Sequence, residues 1–110
     1  MGMRRNISLQ YEGRTEPSIY LYTHWGADGL EQTLAQSIER GKGRWGDSSY
    51  LARVIASDMF KDAGDDITGY GLAPYVMDDE YPTLHVDLGK LTVNNVPFEA
   101  FIANPQMFAI

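Results

Sequence analysis

A chain of 110 residues fits one domain, spanning 1–110, and a domain of this size buries roughly two-thirds of the surface that its unfolded chain exposes. Hydrophobic residues make up 44% and charged residues 22%, which excludes intrinsic disorder, and a net charge of −6 offers no basic face, so nucleic acid is not an expected partner. The absence of cysteine excludes disulfides and thiolate metal sites.

No apolar region follows Arg4 and Arg5, so a signal peptide is not expected, and no run approaches the ~18 apolar residues of a membrane span. Met1-Gly2 opens like a myristoylation signal, but Asn6 stands where that signal requires Ser or Thr.

Ile7, Leu9 and Tyr11 alternate with Asn6, Ser8 and Gln10, the period-two pattern of a half-buried strand. Residues 12–17 read as a hairpin loop. Ser18 to Trp25 is rich in aromatic and β-branched residues and predicts a second, central strand. Asp28 is placed to cap a helix, with Glu31 three residues on as in a capping box. Leu30, Leu34 and Ile38 form that helix's apolar stripe, and Gly41 closes it. A second helix starts near Asp47, Ser48 or Ser49, buries Leu51, Val54, Ile55 and Met59, and ends by Gly64.

After a turn-rich stretch, Leu72 to Val76 predicts a weak strand, and residues 77–82 an acidic loop. Thr83 to Leu88 alternates again, with Gly89-Lys90 as a two-residue type II′ turn into Leu91 to Val93. Asn94-Asn95 tolerates positive φ and turns once more. Val96 to Ile102 is a last strand or a short helix started by Pro97. Runs of one element type predict an α+β fold in the order β-β-α-α-β-β-β: an antiparallel sheet of four to five strands with two helices on one face.

Tyr20, Tyr22 and His24 share one face of the second strand, opposite Ile19, Leu21 and Thr23. With helices on the aliphatic side, the Tyr-Tyr-His side looks outward as a partner-binding row, or pairs across strands. Trp25 follows at the strand's end. Arg44, Trp45, Tyr50 and Arg53 form a polar-aromatic segment able to clamp and stack an anionic or flat ligand, although Trp45 also suits a lid on the core. Thr68-Gly69-Tyr70-Gly71 allows close backbone approach but is too short for a dinucleotide fingerprint.

His85 and Asp87 share the solvated face of one strand, where Asp could orient His, but no nucleophile motif accompanies them. A metal site from His24, His85 and Asp87 would require their strands to be neighbours. No cofactor is expected. Asp58, Asp62, Asp65 and Asp66, with Asp78, Asp79 and Glu80, form two acidic patches that read as solvated surface or as an acidic decoy.

Residues 19–26, Trp45, residues 50–53, residues 68–71 and the hairpin from Tyr81-Pro82 to Val93 together resemble small uncharacterised proteins of tailed phages and prophages of actinobacteria. The resemblance covers most of the chain and carries no catalytic role. It implies a phage-encoded accessory protein in the cytoplasm of the host bacterium, acting on a host protein.

Three functions compete. The first is a non-enzymatic module that docks a host protein through Tyr20, Tyr22, His24 and Trp45. The second is a small-ligand or nucleotide-binding protein, a homo-oligomer, with Arg44, Trp45, Arg53 and Thr68 lining the pocket near His24. The third is a hydrolase using His24 or the His85–Asp87 pair. A non-enzymatic role is favoured.

Overall fold

A computed structural model of the protein describes residues 3–78 and 80–110. Met1, Gly2 and the Asp79 of the second acidic patch lie outside the described residues. Six strands form one sheet: β1 (Arg5–Gln10), β2 (Ile19–Thr23), β3 (Tyr70–Ala73), β4 (Leu84–Asp87), β5 (Thr92–Val93) and β6 (Val96–Pro97). Three α-helices accompany them: α1 (Leu30–Arg40), α2 (Ser48–Phe60) and α3 (Phe98–Ala103). Short 3-10 turns lie at Lys42–Arg44 and Pro105–Phe108.

The strand order is β3-β2-β1-β4-β5-β6. The α+β class is as the sequence predicts, but the sheet is mixed, not antiparallel. The chain leaves β2, passes through α1, α2 and β3, and returns as β4, which pairs parallel to β1 with Ser8 opposite His85. Alternation of side chains reports which face a residue occupies and is silent on strand direction. The weak strand lies at Tyr70–Ala73 instead of Leu72–Val76, because Gly71 and Ala73 pair with Tyr22 and Tyr20. The last segment is both of the predicted alternatives: β6 ends at Pro97, which opens α3.

The helix-covered face carries the core. Ile7, Leu9, Leu21, Leu84, Val86 and Leu88 from the sheet meet Leu34, Ile38, Leu51, Ile55, Phe98 and Phe101, all buried. Leu30, Leu34 and Ile38 of α1 are buried as their spacing requires. The capping expectation fails in an informative way. Gly29, at φ 83°, caps α1 with no side-chain bond, and Glu31 points into the protein instead. There its Oε1 accepts from Arg5 Nη1 at 3.1 Å, with both side chains buried. Arg5 also donates to the carbonyls of Pro82 and Phe108, each at 2.8 Å, so one guanidinium ties β1 to α1, to the approach of β4 and to the C-terminal 3-10 turn. Burial pushes the Arg5 pKa down, and Glu31 partly opposes this. Asp47 caps α2, its carboxylate accepting from Tyr50 N at 3.4 Å.

The β4–β5 connection is not the two-residue type II′ turn. The Asp87 carboxylate accepts from the amides of Gly89 (3.0 Å) and Lys90 (2.8 Å), and Leu91 takes the positive φ of 60°. Between β5 and β6 the two-residue Asn94-Asn95 turn has φ of 49° and 69°, as predicted.

Candidate functional site

Side chains at even positions of β1 and β2 point away from the helices. Strand register sorts them into rows across the sheet. One row holds Ala73, Tyr20, Ser8 and His85, the next Gly71, Tyr22 and Asn6, and the third Gly69, His24 and Arg4.

Among the described residues no helix covers this face, but residues 74–78 and 80–82 cross part of it as a strap. The Asn6 side chain grips the backbone of Met77 as a strand would, donating to its carbonyl at 2.7 Å and accepting from its amide at 3.2 Å. The Glu80 carboxylate accepts from Arg4 N at 3.1 Å. Gly71 keeps the passage open, since a Cβ there would lie 3.2 Å from Met77 Cε. The strap buries the middle row, and Tyr22 retains 7% of its surface in solvent. The expectation of a continuous Tyr20-Tyr22-His24 docking row is therefore corrected. Tyr20 and His24 are half-buried, and Tyr22 serves as an internal support.

That support is specific. Tyr22 OH lies 3.0 Å from His24 Nδ1, which also accepts from Arg4 Nε at 3.3 Å. A guanidinium can only donate, so Nδ1 is the acceptor and the ring proton sits on Nε2. Burial, then Asp78 and Glu80, raise the Tyr22 pKa above its ordinary 10.0, against the opposing pull of Arg4. The phenol thus stays protonated and available to donate.

His24 in turn braces Trp25: the rings meet edge-to-face at 5.0 Å and 83°. Gly69, at φ 96°, leaves room for the Trp25 ring, which a Cβ at that position would penetrate. Trp25 is nonetheless 58% exposed. It is a large aromatic ring held rigid at the rim of the sheet face and presented to solvent.

The remaining expected site residues do not converge. Trp45 is the lid on the core: its Nε1–H donates to Ile38 O at 3.0 Å and its ring packs edge-to-face on Phe98 at 5.2 Å. The Arg44 guanidinium stacks 4.5 Å from the centre of the exposed Tyr50 ring. This group sits beyond the C-terminal end of α1, a helix roughly 16 Å long that starts near Trp25. Arg53 lies on the outer side of α2, beside a groove that also includes Tyr11, Ile19, Phe60 and Leu72. Thr68 is exposed ahead of β3, and Tyr70 packs edge-to-face on Phe60 at 5.6 Å. The pocket expected from Arg44, Trp45, Arg53 and Thr68 is not formed.

β1 separates the strands of His24 and His85, which removes the geometry needed for a His24–His85–Asp87 metal site. Among the described residues no group of three metal-ligating side chains converges.

The parallel β1–β4 pairing does produce a contact that sequence reasoning missed: Ser8 Oγ lies 2.5 Å from His85 Nδ1. A depression of about 290 Å³ lies beside it, lined by Gln10, His85, Asn94 and Asn95 among others. The groups around the pair are otherwise engaged. Asp87 is engaged by its own turn, and Ser8 is 1% exposed. The His85 backbone is fastened to Asn94 in both directions, at 2.7 and 2.8 Å. The one signal for this contact was the polar alternation of Asn6, Ser8 and Gln10, which names a face but not its neighbours.

Compared with known proteins, the chain matches no family model, no curated protein and no solved structure.

Proposed function

We propose that this protein is a non-enzymatic binding module that docks another protein on the helix-free face of its sheet, with Trp25 as the anchor. The observation that carries this reading is the braced exposure of Trp25. An indole fixed by His24 and Gly69 loses little side-chain entropy on binding, and aromatic residues held this way dominate interface energies. Tyr20, half-buried, and His85, exposed, lie in the row on the other side of the strap from Trp25. The resemblance to phage accessory proteins supports a host protein as the partner.

The test is site-specific photo-crosslinking in the host cytoplasm, with benzoylphenylalanine replacing Trp25 in one variant and Tyr50 in another. The expected result is one discrete adduct from position 25 and none from position 50. Adducts from neither position, or the same adducts from both, would refute the reading.

A further inference from the structure

Beside the docking face, the sheet has one open edge. His24 N donates to Gly69 O at 2.8 Å, so Gly69, Gly71 and Ala73 turn their backbone groups toward β2. By the alternation of an antiparallel ladder, the N–H and C=O groups of Tyr70 and Leu72 then point outward, without a partner among the described residues. The opposite edge is blunted: β6 has two residues, one of them Pro97. β3 carries neither proline nor lysine, the usual protections of an edge strand.

We infer that two copies of this chain pair antiparallel through β3, about a two-fold axis at Gly71, joining their sheets. The edge is complementary to itself. Tyr70 of one copy would exchange backbone hydrogen bonds with Leu72 of the other. The same register sets Gly71 of one copy beside Gly71 of the other. Leu72 is 59% exposed, and the pairing would cover it.

The charges agree. Arg53 lies beside the groove that Leu72 lines, and Asp62 beside the cleft that Tyr70 lines. The two-fold axis therefore brings Arg53 of each copy toward Asp62 of the other. Among the described residues neither has an ion-pair partner within its own chain. The groove of about 260 Å³ beside Leu72 would face Tyr70 of the second copy.

Sedimentation velocity of the full chain from about 1 μM to about 1 mM tests this. The expected result is a reversible monomer–dimer equilibrium. Leu72→Pro removes an outward N–H without touching the β2–β3 ladder and should weaken the dimer at least about tenfold. Arg53→Asp and Asp62→Arg should each weaken it about threefold, and the double exchange should restore it, a test that does not depend on the proline variant folding. A monomer at every concentration would overturn the inference. So would a dimer indifferent to all four variants. Tyr70 and Leu72 amides that gain protection only when a different protein binds would also overturn it, assigning the edge to that partner. Crosslinking from position 25 is scored separately, so failure here leaves the docking reading intact, and the reverse also holds.

Discussion

Replacing Arg5 with Met should destabilise the protein far more than replacing both Arg5 and Glu31. In the single variant the Glu31 carboxylate is left in the core with its 3.1 Å partner gone, and the carbonyls of Pro82 and Phe108 lose their 2.8 Å donors. Breaking a buried pair from one side costs about 3–5 kcal/mol. Taking about 4 kcal/mol and an unfolding entropy of ~2.1 cal/mol/K per residue over 110 residues, or ~0.23 kcal/mol/K, the melting temperature should fall by about 17 °C. In the Arg5→Met, Glu31→Leu double variant no charge is stranded, and apolar replacement of a buried pair is often neutral or stabilising. It should recover at least about half of that loss. Differential scanning calorimetry at neutral pH measures all three proteins, with Glu31→Gln as a fourth. A single variant within about 0.5 kcal/mol of the double would refute the claim that Glu31 is held in the core by Arg5.

Three further outcomes are expected. Thr83 Oγ1 is buried without a hydrogen-bond partner among the described residues, so Thr83→Val should be neutral or raise stability by about 1 kcal/mol in urea unfolding; a loss of that size would mean the hydroxyl is satisfied. The raised Tyr22 pKa makes stability complete below about pH 10 and declining as pH climbs through the folded-state value, so ultraviolet titration should show a late tyrosine that Tyr22→Phe removes. Gly69→Ala combines a φ of 96° with a Cβ inside the Trp25 ring, so it should cost about 1–3 kcal/mol and red-shift tryptophan emission, whereas unchanged emission would show that the ring is not braced there.

Much of the fold was legible because hydrophobic periodicity reports burial. The α1 stripe, the α2 face and the alternation of β1, β2 and β4 are where the sequence places them. Glu31 shows the limit of local rules. A carboxylate three residues after Asp28 reads as a capping box, but a buried guanidinium 26 residues earlier claimed it, and only the tertiary fold sets that encounter. The parallel pairing of β1 with β4 was invisible for the same reason, and with it the Ser8–His85 contact.

The site was half legible. His24 and Tyr20 stand where the strand's alternation puts them, whereas Trp25, past the end of β2, stacks on His24 and Gly69 in a way that alternation does not encode. The strap that buries Tyr22 depends on Asn6 meeting Met77 across 71 residues, which no short pattern encodes. Trp45 was legible as a lid, because an aromatic after a closing glycine at a helix end has the adjoining core to cover.

The most direct test of the docking account is titration calorimetry of the crosslinked partner, purified, against the wild-type chain and Trp25→Ala. If Trp25 anchors the complex, removing it should cost at least about 2 kcal/mol, or about thirtyfold in affinity. An affinity within about twofold of wild type, with the fold of the variant intact, would contradict it.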